Sequence, residues 1–205
     1  MTEKPKYHDK RADMWRKHFE MGEIYEEFLS ACDPAHLAKW RNMMASLPAL
    51  TDGQSQRLRG YHRTLRVLIY NGAWCGDCVR QVPMMMQIAD AAGRLENGGP
   101  AVSVRIIDRD VSPELQDELR ILGALRVPVV VFFSEDFHEV GRFGDRLLTT
   151  YRRKAERETG AACDTGLIAP GIEELAAEQN EWVDVVERML LMLRLAPPLR
   201  ARYGD

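Results

Sequence analysis

Three short apolar runs rich in β-branched residues, "RVLIY" at 66–70, "AVSVRIID" at 101–108 and "VPVVVFF" at 127–133, are separated by segments of helical character. This alternation limits the possible folds more than any other feature of the chain. Strands buried on both faces read as continuous apolar runs, and alternation of strands with helices implies a sheet that is at least partly parallel, with helices on both faces. A fourth run, "HEVGRF" at 138–143, follows the third too closely for a crossover helix, so that pair is expected to be an antiparallel hairpin, with Gly141 weakening it or marking a bulge. The expectation is an α/β fold with a central mixed sheet of four or five strands flanked by helices.

The intervening segments carry their own punctuation. Cys75 to Leu95 reads as a helix closed by the turn signals of "ENGGP"; in "SPELQDELRILG", Ser112 is placed to cap, Pro113 suits the first helical position and Gly123 the end. "DRLLTTYRRKAERE" reads as helical and "TGAACDTGLIAPG" as a loop. Ile172 to Leu195 reads as a long C-terminal helix whose stripe, including Leu175, Trp182, Val186 and Leu190, covers the sheet before Pro197 and Pro198 stop it. Residues 1–50 read as a helical N-terminal extension of two amphipathic helices. One carries Trp15, Phe19, Ile24, Tyr25, Phe28 and Leu29; the other carries Leu37, Trp40, Met44 and Leu47. "TDGQS" at 51–55 reads as the loop joining this extension to a main domain at 51–205.

Charge narrows the partners. With 28 Lys and Arg against 31 Asp and Glu, a net charge of −3 gives no reason to expect nucleic acid or an anionic membrane. The start lacks a signal-like apolar stretch and "MLLML" is too short to cross a bilayer, so a cytoplasmic location is expected. Four cysteines in 205 residues are not a secreted disulfide framework, and in a reducing compartment a close pair points to catalysis or metal binding.

Such a pair stands in "AWCGDCVRQVP", where Cys75 and Cys78 lie three positions apart at the start of a helix that follows a strand. The unpaired N–H groups and positive dipole end of a helix start favour a thiolate on Cys75, and Cys78, one turn further in, is spaced to resolve a mixed disulfide. "WCGDC" after an apolar strand, Pro83 five positions past the second cysteine, and "RVPVVVFF" some fifty residues on together resemble the thioredoxin-like superfamily, over roughly Leu65 to Phe143. The Trp-Cys-Gly-Asp-Cys form is similar to a thioredoxin-related subgroup with restricted substrates.

The resemblance implies a thiol-disulfide oxidoreductase, acting on a disulfide-containing protein or small molecule and restored by an external thiol reductant or reductase, with no cofactor and no metal. It implies that Pro128 is a cis proline lying against the cysteines, that Val127 pairs with the substrate backbone, and that Trp74 and Gly76 complete the substrate-binding set. Two departures stand out. The family's buried acid, six positions before the first cysteine, is replaced by Ile69, and Gly76-Asp77 replaces the usual Gly-Pro. Asp77 supports the helix start but disfavours a thiolate on Cys75; it is expected to take over proton transfer for Cys78, the bland alternative being an exposed carboxylate with no chemical task.

Two further readings stay open. The scaffold could serve as a non-catalytic binding or adaptor module, using Met14 to Leu47 and Ile172 to Leu195 to hold a partner. Zinc could be held by Cys75 and Cys78 with Cys163, Cys32 or His36, although "CDPAH" is a poor second ligand pair. His8, His18, His36, His62 and His138 share no spacing that suggests a Cys–His protease.

Overall fold

The computed structural model describes residues 8–159 and 171–204. Four strands form one sheet in the order β2-β1-β3-β4: β1 (Leu65–Asn71), β2 (Val102–Asp108), β3 (Val129–Phe133) and β4 (Glu139–Gly144). β1 is parallel to β2 and antiparallel to β3, and β3 and β4 form the expected hairpin. Its register slips between Phe132, opposite Gly141, and Phe133, opposite Glu139, which leaves Val140 as the extra residue of a bulge. Gly141 sits under Met189: a Cβ would come within 2.9 Å of the end of that flexible side chain, which would have to shift.

Helices cover both faces of this α/β sheet. Arg66 of β1 lies over the rings of Phe19 and Phe137, so alternate residues of β1 face α1 (Ala12–Met21), while Val67, Ile69 and Asn71 face the other layer. That layer holds α5 (Gly76–Ala92) and α8 (Ile172–Leu195); Phe143, in register with Val130 and through it with Ile69, packs on Trp182 of α8 at 5.2 Å. α8 has the bounds the sequence predicts, and Leu175, Trp182, Val183, Val186, Leu190 and Leu193 are its buried stripe. Pro197 and Pro198 end it and open α9 (Pro197–Tyr203).

The N-terminal segment differs from its sequence-based expectation. The run of apolar residues from Trp15 to Leu29 is two helices, α1 and α2 (Tyr25–Ala31), followed by α3 (Pro34–Ser46). The break is imposed from a distance: Gly22 passes so close to β2 that a Cβ would meet Arg105 Cβ at 2.9 Å. Glu23 then exchanges two backbone hydrogen bonds with Ile106, at 2.8 and 2.9 Å, along the outer edge of β2. "TDGQS" is not a loop either, since α4 (Asp52–Leu58) begins there. Thr51 accepts the Gln54 N–H while the Gln54 side chain accepts the Thr51 N–H, a capping box that makes a polar sequence helical. Trp15, Trp40, Leu58 and Trp182 belong to one continuous buried cluster with the strands.

α6 (Pro113–Glu118) has Ser112 as its cap and Pro113 at its start. It stops before Gly123, whose φ of +77° instead serves a tight turn closed by the mutual hydrogen bonds of Ile121 and Ala124. α7 (Leu148–Thr159) follows β4; the loop expected around Cys163 lies outside the described residues.

Candidate functional site

β1 ends at Asn71, and residues 72–75 turn the chain into α5. Cys75 N–H donates to the Gly72 carbonyl at 2.9 Å, and Trp40 of α3 donates its indole N–H to the Ala73 carbonyl at 3.0 Å, so a helix far away in sequence pins the turn. A Cβ on Gly72 would lie 3.0 Å from the indole of Trp74, which folds back over it. The other face of that ring carries the Arg109 guanidinium at 4.8 Å, leaving Trp74 53% exposed at the rim.

Cys75 is the cap of α5: its sulfur accepts the Cys78 N–H at 3.4 Å. It also stands 3.6 Å from the carbonyl oxygen of Val127, and the Val127–Pro128 bond is cis. The sheet explains this meeting, because β3 starts where β1 ends, Val129 being in register with Tyr70. Cys75 retains 8% exposure and Cys78 none, and both are free thiols.

The two sulfurs are driven apart electrostatically. A hydrogen bond from the Cys78 thiol pulls the Cys75 pKa from 9.0 to about 7; burial and the charge of Asp77 oppose this, and backbone N–H groups of Cys78 and Asp77 support it. Burial pushes the Cys78 thiol far up, reinforced by its bond to Cys75, while the backbone of Gly72 pulls weakly the other way. The thiolate is thus favoured on Cys75 and disfavoured on Cys78, the inequality that thiol–disulfide exchange uses.

A family model described as Thioredoxin matches residues 22–148, more than half of the chain. The chain belongs to the thioredoxin-like superfamily. A solved protein of unknown function from Pseudomonas aeruginosa matches with a TM-score of 0.63 at 18% identity, covering 84% of this chain and 94% of the other. An HIV epitope-scaffold matches with a TM-score of 0.54 at 19% identity, covering 93% and 98%. No curated protein matches the sequence.

Against the thioredoxin-like pattern, the fold gathers Trp74, Cys75, Gly76, Asp77, Cys78, Val127 and Pro128 at one end of the sheet. Ile69, where the superfamily's buried acid would stand, is fully buried on the α5 side. Two positions on, and on the same face, Asn71 is also fully buried, with neither amide atom partnered among the described residues. Arg146 Nε lies 2.9 Å from the Asp77 carboxylate. Neither Arg146 nor Trp40 carries a sequence signal, since each reaches the site only through the fold. Of the residues considered for zinc, Cys32 bonds back to the Phe28 carbonyl and His36 pairs with Asp33, while Cys163 lies outside the described residues. Among the described residues no three His, Cys, Asp or Glu side chains stand together as a metal site.

Proposed function

We propose that this thioredoxin-like chain reduces disulfides of a protein or small molecule through Cys75 and Cys78. The observation that carries the reading is geometric: Cys75 Sγ caps α5 by accepting the Cys78 N–H at 3.4 Å and stands 3.6 Å from the Val127 carbonyl beside the cis Pro128, with the direction of the two acidities in support. The Cys75 thiolate attacks one sulfur of the substrate disulfide; that bond breaks, a mixed disulfide forms, and the first substrate sulfur leaves as a thiolate that takes a proton. Cys78 then loses its proton and attacks the Cys75 sulfur, forming the internal disulfide and releasing the second substrate thiol. Two electrons pass from the dithiol to the substrate, and an external thiol reductant or reductase returns them.

Val127 and Pro128 would hold the substrate backbone, with Gly76 and Trp74 beside it. Ile69 can accept no proton. Asp77, whose charge acts on both sulfurs, is the carboxylate to which we assign the Cys78 proton. Reduction suits a cytoplasmic, reducing compartment. Among the described residues no helix is long and apolar enough to cross a membrane.

The test is reduction of insulin or a model disulfide by the wild-type chain and by Cys75→Ser, with the dithiol equilibrated against glutathione to set the direction. Turnover by the wild type alone supports the reading. No turnover by either would favour a binding or adaptor module.

A further inference from the structure

Asp77 poses a problem for its neighbour, because a carboxylate in the first turn of α5 opposes ionisation of the sulfur one turn-position away. The fold meets it with a cation delivered from the other end of the chain's topology. Arg146, in the segment between β4 and α7, places Nε 2.9 Å from Asp77 Oδ2. That N–H is not aligned for a hydrogen bond, so the contact is one of charge.

Arg146 is itself held. Its Nη1 lies 3.4 Å from Oδ2 of Asp145, a residue only 4% exposed. Asp145 is fixed by a 2.8 Å ion pair with Arg126, by the hydroxyl of Tyr151, and by Gln81 of α5, whose amide donates to the Asp145 carbonyl at 3.0 Å. Arg126 immediately precedes Val127 and Pro128. The chain of charges therefore runs from the redox helix, through the β4–α7 segment, to the loop that faces Cys75.

We propose that Arg146 is a positioning residue for the exchange reaction: clamped by buried Asp145, it neutralises Asp77 and so lifts a repulsive charge from the attacking sulfur. The proposal rests on the redox reading of the cysteine pair. The ionisable groups around Cys75 are Cys78 and Asp77 from α5, Arg126 ahead of β3, Asp145 and Arg146 after β4, and Arg109 with Asp108 and Asp110 beyond Trp74. Among the described residues Arg146 is the cation in contact with Asp77. An anion freed of its partner at about 6 Å in a wet site is worth roughly a threefold change in thiolate population.

The experiment follows alkylation of Cys75 by iodoacetamide against pH in the reduced full chain, read by mass spectrometry, with thermal melts on every variant. Arg146→Met is expected to move the rate curve to higher pH and to slow alkylation at pH 7 about threefold; Arg146→Lys is expected to restore it. Asp77→Asn should move the curve the other way. An unshifted curve in Arg146→Met, or a shift that Arg146→Lys leaves unrestored, overturns the proposal. Alkylation needs no substrate disulfide, so these outcomes are independent of turnover: the expected pattern without disulfide reduction would sink the redox reading and leave the charge bridge standing.

Discussion

Two strand-to-helix junctions sit at the same end of the sheet and are built alike. After β1 the cap of α5 is Cys75, whose sulfur accepts the Cys78 N–H at 3.4 Å; after β2 the cap of α6 is Ser112, whose hydroxyl accepts the Leu115 N–H at 3.3 Å. The second junction is closed. Ser112 Oγ lies 2.8 Å from Nε2 of the fully buried His18, whose Nδ1 lies 2.8 Å from the Met14 carbonyl. A carbonyl can only accept, so Nδ1 donates to Met14, and Nε2 is joined to the Ser112 hydroxyl. Every valence is spent on structure. At the first junction, with the same 8% exposure as Ser112, the cap has its pKa pulled down to about 7, and its partners are a thiol and a carbonyl. The difference teaches that capping geometry alone does not make a reactive centre; an ionisable cap with a second thiol one turn inside does.

Replacing Cys75 by Ser makes the two caps chemically equivalent. Disulfide reduction is expected to fall by at least about three orders of magnitude, while the melting temperature holds, because serine is a good cap. A stability loss well beyond about 1 kcal/mol in the melt would show that the sulfur is structural. The converse change, Ser112→Ala, strips the silent junction of its cap and leaves His18 Nε2 unpaired in the core. It is expected to cost about 2 kcal/mol in urea unfolding, with Cys75 alkylation unchanged.

A third prediction sharpens the contrast through pH. With Cys75 depressed to about 7, its alkylation rate should rise with pH to a midpoint near that value rather than 9.0, whereas Cys78, held protonated, stays unmodified throughout. Because nucleophilicity falls as acidity rises, the advantage over an ordinary thiol at pH 7 is several-fold rather than the full difference in thiolate fraction. The smallest effect belongs to the rim. Trp74→Ala removes the exposed ring that carries Arg109, and is expected to raise KM for a protein disulfide a few-fold with kcat little changed.

Much of this arrangement was legible in the chain. The strand runs, the hairpin and the bounds of α8 follow from apolar periodicity, and the cysteine pair announces itself by its place after a strand. The capping box at Thr51 and Gln54 was written in the sequence too, under a polar composition that reads as loop. Other features could not be read at all. The break at Gly22 exists because of Arg105, and Asp77 finds its counter-ion at Arg146; both partnerships join residues that are neighbours only after folding. Ile69 told correctly that an acid is missing, but nothing local could say that Asn71 lies buried beside it without a partner.

β2 is the outermost strand on its side, and an outermost strand offers peptide groups to any chain that comes alongside. Glu23 occupies that rail at Ile106. The leading helices are therefore more than padding on a small thioredoxin-like unit: a shortened copy beginning at residue 30 would keep both thiols yet lose the guard, and copies would be expected to zip together through the bared flank. The edge of the strand next to β1 is thus closed by a two-bond clasp.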